Sequence, residues 1–309
     1  MFVRVLGAAA GGGFPQWNCR CPGCTRARAG DPAVKPRTQA SLAVSADGQR
    51  WVLLNASPDL PAQLRAAPAL NPDISGPARN SPVHAVVISG GDIDCIAGLL
   101  SLREGHPFTL YADPFVQKII DNNEVFSVLN RSFVRCEPLN AQGETELRDA
   151  QNQPLGLWVE AFPVPGKIPL YQEAGKEAAT LVNDQAVIGL SLRAASGRKV
   201  FFIPGCARVT DGIRHLVSGA NVLFFDGTLW ADDEMITAGM GTKTGTRMGH
   251  ISVRGQDGSI AAFAQTPLAR KIFIHINNTN PILCDDSEEA AFVRAAGWEI
   301  AFDGMEVTV

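Results

Sequence analysis

Asp92, Asp94 and Cys95 fall within four positions just after the apolar run Val86, Val87, Ile88, from which Gly90 and Gly91 separate them. Carboxylates crowded at the end of a buried strand repel one another and lose hydration, so they are tolerated where a cation or several donors hold them. The stretch therefore reads as a metal-binding turn. A helix-capping aspartate is the alternative, and it accounts for one carboxylate while leaving the second and the thiol unexplained. A second cluster, Cys19, Cys21 and Cys24, lies on a turn rich in proline and glycine. Thiolates in that spacing can point at one tetrahedral zinc, with a fourth ligand arriving from elsewhere in the chain.

Two further chemical positions end apolar runs in the second half: Asp226 after NVLFF and His275 after KIFI, with Gly205 and Cys206 placed likewise after KVFFIP. Strand ends along one edge of an α/β sheet form a natural ligand site. A lone Asp after a strand is otherwise a turn residue, and a lone His a structural one. It is the repetition that makes Asp92/Asp94, Asp226 and His275 candidates to converge. The segment 238–253, AGMGTKTGTRMGHISV, has too many glycines and threonines for a regular element. It is expected to be a loop able to close over a substrate, with Lys243 and Arg247 meeting carboxylates and His250 acting as acid, base or donor. A surface loop ending in a helix-capping His is the alternative. His84, His106 and His215 have no acidic or cysteine neighbours in sequence and read as structural or solvated.

These residues need strands to carry them. FVRVL (2–6) suits a first strand, and 41–45 and 51–55 suit a hairpin joined at Ala46-Asp47-Gly48. Ser57 or Asp59 is placed to cap a short helix, and Asp59 could instead face the site. Further strands are expected at 108–111, 157–163 and 186–193, with helical stretches near 114–130 and 260–263. No internal repeat or low-complexity linker divides the chain, which favours one domain over 1–309. With 309 residues, 46% of them apolar, a large core can be buried. A net charge of -4 supplies no basic stripe for nucleic acid. No apolar run is long enough to span a bilayer, and the N-terminus lacks a convincing signal peptide, which points to the cytoplasm. There, a tight cysteine cluster reads as metal ligation rather than disulfides.

Taken with GGGFPQWNCRCPGC, LLNASPD, GLLSLREG, DGTLW, GTKTGTRMGH and HINNTNPIL, the chain resembles the metallo-β-lactamase superfamily over nearly its whole length. Within that superfamily it closely resembles the pyrroloquinoline quinone (PQQ) biosynthesis protein B family, PqqB. The resemblance implies a four-layer αβ/βα sandwich with the metal site at the strand edge. The superfamily's HxHxDH signature falls on Gly90, Asp92, Asp94 and Cys95, and the Asp94 position alone is retained. The last position is usually histidine in the PqqB family, so Cys95 is a departure. Asp226 matches the bridging aspartate, His275 the late metal histidine, and His250 a histidine placed near substrate in the RNase Z branch. An oxygen-rich set with one imidazole suits Fe(II) better than a dizinc hydrolase. The resemblance thus implies iron-dependent hydroxylation of the tyrosine-derived ring of the cross-linked Glu-Tyr precursor of PQQ. Lys243 and Arg247 would take the precursor's carboxylates, His250 would transfer protons, and other proteins of the pathway are conceivable partners. A non-catalytic carrier for PQQ or its precursor is the rival, and a residual hydrolase a third reading.

Overall fold

Long runs of β-branched and aromatic residues, flanked by glycine and polar turns, set the strands, and their near-continuous burial shows that most are covered on both faces. The computed structural model describes residues 1–139, 143–173 and 182–309. The first sheet is built from β1 (Phe2–Gly7), β2 (Ser41–Ser45), β3 (Trp51–Leu54), β4 (Val83–Val87), β5 (Phe108–Ala112) and β6 (Val134–Pro138). The second follows in sequence: β7 (Thr145–Arg148), β8 (Pro154–Lys167), β9 (Val182–Ala194), β10 (Lys199–Ile203), β11 (Val222–Asp226), β12 (Lys271–Ile274) and β13 (Glu299–Ile300). A last strand, β14 (Glu306–Thr308), returns to the first sheet and pairs antiparallel with β1. The orders are β14-β1-β2-β3-β4-β5-β6 and β13-β12-β11-β10-β9-β8-β7.

The two sheets face each other across one apolar layer in which Val5, Leu42 and Val87 meet Leu190, Phe202 and Phe224. A second layer outside the first sheet packs Leu60, Ile96, Val116 and Ile119 from its helices. A third, outside the second sheet, packs Ala27, Ile213, Val217 and Val293 against Phe201, Phe225 and Phe273. This is the αβ/βα sandwich. Strands β3 to β6 run parallel, as do β10 to β13, so the ends of β4, β11 and β12 open on one edge.

Several local expectations are corrected. Asp59 precedes the helix Leu60–Ala66 but makes no capping bond; its Oδ2 instead accepts from the Gln39 backbone N–H at 2.9 Å and its side-chain amide at 3.0 Å. The segment 238–253 is not wholly irregular, because Gly245–Met248 forms one helical turn capped by the Thr244 hydroxyl. The strand expected at 157–163 is the middle of a 14-residue one that continues to Lys167.

Candidate metal centre at the strand ends

Each strand-end side chain reaches the edge by its own device. After β4, Gly91 allows a close approach: a Cβ there would lie 2.5 Å from Ile119 Cδ1 and 3.3 Å from the Tyr171 hydroxyl. Asp92 stands at the N-cap of the helix Ile93–Ile96 but makes no capping bond, so its carboxylate is not spent on the helix. Asp94, in the first turn of that helix, places Oδ2 2.9 Å from His275 Nε2. His275 follows β12 with φ 57°, a left-handed conformation that residues other than glycine adopt rarely and that persists where surrounding contacts over-determine it.

Asp226 ends β11 fully buried. Its Oδ2 accepts from Cys206 N–H at 2.8 Å and meets His250 Nδ1 at 2.7 Å, while Oδ1 accepts from Thr228 N–H at 3.0 Å and from the Thr228 hydroxyl at 2.6 Å. The same hydroxyl lies 3.0 Å from His250 Nδ1 and 2.8 Å from His275 Nδ1. The two imidazoles are stacked, with centroids 5.2 Å apart.

Charge and burial tune these groups against one another. Burial pushes the Asp92 carboxyl up, and the neighbouring Asp94 charge adds to it. Burial also opposes ionised Asp94, yet the hydrogen bond and charge of His275 outweigh it and hold Asp94 below the usual carboxylate range. For His275 burial disfavours the cation, while Asp94, then Asp226 and Asp92, prevail and raise it. Burial and the two aspartates push the Cys95 thiol well up. Without a cation beside it, that thiol is protonated and a poor ligand.

Asp92, Asp94, Cys95, Lys243, His250 and His275 line one cavity of about 380 Å³. Asp226 stands behind its wall. Among the described residues, Asp226, His250 and His275 form a group whose donor atoms all lie within 4.8 Å of one another, so His250, expected beside the substrate, is also placed among groups able to share an ion. Asp92, Asp94 and Cys95 face the cavity outside that group, Asp94 joined to it through its 2.9 Å contact with His275. Arg247 is turned away from the wall toward Glu173, at 3.3 Å. Thr228, Lys167 and Glu173 went unnoticed in the sequence; only Thr228, in the DGTLW stretch, carried any signal.

The cysteine cluster forms a second compact group. Cys21 caps the helix Pro22–Arg28, its sulfur accepting from Cys24 N–H. The buried Asn278 side-chain amide sits 3.1 Å from the Cys19 sulfur, 3.7 Å from Cys21 and 3.5 Å from Cys24, in the place a fourth ligand would take. Burial raises the Cys24 thiol to about 12. At Cys19 burial pulls the same way, but hydrogen bonds from Cys21, Cys24 and Asn278 outweigh it and bring the thiol below its ordinary value. Three sulfurs so grouped fit zinc, while the Asn278 amide nitrogen donates to them and is not itself a ligand.

Two facing mixed sheets with a carboxylate-imidazole group at the strand edge define the metallo-β-lactamase class, and a family model described as the beta-lactamase superfamily domain matches residues 50–276. The chain is 51% identical over 304 residues to coenzyme PQQ synthesis protein B of Gluconacetobacter diazotrophicus, covering 98% of both chains. It is 50% identical to that of Methylobacterium nodulans, covering 99% of both. A crystal structure of Zn(2+)-bound PqqB from Methylobacterium extorquens superposes with a TM-score of 0.94 at 47% identity, covering all of both chains. The chain belongs to the PqqB family. A diphosphatase of the PhnP family shares the fold alone, with a TM-score of 0.66 at 20% identity over 99% of this chain and 96% of that one. Among the described residues no helix is long and apolar enough to cross a membrane.

Proposed function

We propose that this chain acts in PQQ biosynthesis as an iron-dependent hydroxylase of the tyrosine-derived ring of the cross-linked Glu-Tyr precursor, with zinc in the cysteine cluster. The observation that carries the reading is the donor set at the strand ends, where carboxylates and imidazoles converge. Carboxylate and imidazole donors suit Fe(II), whereas the three-sulfur cluster selects zinc. Asp94, Asp226 and His275 would hold the metal, with Asp92 and Cys95 at its margin and His250 within reach. When bound there, Fe(II) supplies the activation of dioxygen.

The rest falls to the chain's own groups. Lys243 at the cavity wall and Arg247 behind it are the cations for the precursor's carboxylates. His250 has Nδ1 committed to Asp226 and Thr228, which leaves Nε2 as the atom that can hold or move a proton near the ring. Apolar wall groups such as Leu170, Val187 and Met248 limit the water beside it.

Oxygen uptake by anaerobically iron-loaded protein, followed with the precursor and with mass analysis of a single turnover, tests the assignment. With a two-electron reductant such as ascorbate supplied, uptake of one dioxygen per turnover is expected, with one oxygen atom gained by the product and the other released as water. Tight binding of the precursor without turnover would overturn the enzyme reading in favour of a carrier.

A further inference from the structure

Glu173 stands among three cations beside the cavity. Its Oε1 is 2.5 Å from Lys167 Nζ, and both side chains are only 13% exposed. Its Oε2 meets Arg247 Nη2 at 3.3 Å and Lys243 Nζ at 3.5 Å, where the cations are more open, at 32% and 40%. Lys167 and Lys243 both line the cavity that holds Asp94 and His275. One carboxylate thus faces three positive charges, and the tight contact is spent on Lys167. Arg247 is underused: among the described residues its buried Nη1 has no hydrogen-bond partner, although a guanidinium frequently binds a carboxylate through two parallel N–H groups. A buried donor left unmet is costly, and a second carboxylate would satisfy it.

We propose that Glu173 is an internal stand-in for a ligand carboxylate. In the free protein it holds Lys167, Lys243 and Arg247 together; an aromatic polycarboxylate entering the cavity takes Lys243 and the full fork of Arg247, while Glu173 keeps Lys167. This rests on the reading that the strand-end cavity is where the ligand binds, and it adds the residue that sets the selectivity. A single weak carboxylate cannot displace Glu173, whereas a ligand carrying several can, so the clamp screens for polycarboxylates.

The test is calorimetric binding of benzene-1,3,5-tricarboxylate to the protein as purified. Glu173→Gln, which removes the competing charge and keeps the side-chain length, is expected to bind it about fivefold to tenfold more tightly than the wild type, the scale of losing two partly exposed ion pairs. Glu173→Asp, whose shorter arm loosens its hold, shifts affinity the same way by less and covers the case in which the glutamine variant does not fold. Lys243→Met weakens binding, and the neutral trimethyl ester fails to bind any form. Unchanged or weaker binding in the glutamate variants overturns the proposal. No turnover is needed: absent hydroxylation with this response intact refutes the reaction alone, and hydroxylation without it refutes the clamp alone.

Discussion

Replacing Thr228 by valine keeps the shape of the side chain and deletes the hydroxyl on which the strand-end site converges. That oxygen has one hydrogen and two lone pairs. Four groups compete for them: Asp226 Oδ1 at 2.6 Å, His275 Nδ1 at 2.8 Å, the His275 carbonyl at 2.9 Å and His250 Nδ1 at 3.0 Å. The carboxylate, charged and nearest, takes the hydrogen. Both imidazoles must then donate from Nδ1, His275 to this oxygen and His250 chiefly to Asp226 Oδ2 at 2.7 Å, which leaves His275 Nε2 as the ligating atom and His250 Nε2 for proton transfer. Loss of one such outer partner costs about 10-fold to 100-fold in metal affinity. With His275 freed and His250 still held by Asp226, Thr228→Val is expected to lower affinity about 10-fold, or ~1.4 kcal/mol. The unmatched buried N–H of His275 also costs about 1–3 kcal/mol of folding stability. Mn(II), which carboxylates and imidazoles bind and thiolates do not favour, titrated by electron paramagnetic resonance, isolates this site from the cysteine cluster. Thr228→Ser should stay within about threefold of the wild type, since it keeps the hydroxyl. A valine variant as tight as the wild type, or a serine variant as weak as the valine, refutes the reasoning.

Cys95→His is expected to raise both iron per chain and product formed, because a neutral imidazole replaces a thiol that burial and two aspartates keep protonated; equal or lower values would place Cys95 beyond the metal's reach. A separate prediction concerns Asp303, which accepts from Thr38 N–H and the Thr38 hydroxyl at 2.7 Å and from Ala8 N–H at 3.1 Å, and which burial pushes up from 3.8 to about 6. The folded chain then holds this proton more tightly than the unfolded one, so the contribution is complete below about pH 4 and lost as pH rises through about 6. Relative to Asp303→Asn, the wild type should lose about 1–3 kcal/mol between about pH 4 and pH 7 in urea melts. A difference between the two that does not change with pH would contradict this.

The convergence of Asp94 and His275 was legible because β4 and β12 close on apolar runs, 85–87 and 272–274, beyond which the polar residues stand out. The Glu173 clamp was not. Lys167 and Glu173 are isolated charges in sequence; Lys167 reaches the cavity because β8 runs on through Pro163 and Pro165, and Glu173 stands beside it. Prolines ordinarily argue against an interior strand, since they cannot donate to the ladder, and here the register shifts between Val164 and Gly166 instead. The short strands β6 and β7 escaped for the opposite reason: VRCEP and TELR carry charges at a sheet end and show no clean alternation. Asp59 looked like a cap because of where it stands, but the nearby Gln39 competes successfully for its oxygen.

His275 and Asn278 lie three residues apart, so their backbones are at most about 11 Å from each other along the chain. One belongs to the carboxylate-imidazole cavity and the other touches all three sulfurs of the cysteine cluster. The sulfurs are therefore an anchor for a distant reactive centre. Oxidation of Cys19, Cys21 or Cys24 by air or peroxide would loosen that anchor and let His275 drift from its left-handed pose, disabling the cavity without any chemistry there. Preparations that lose activity in storage should then be repaired by a thiol reductant with zinc, not by fresh iron.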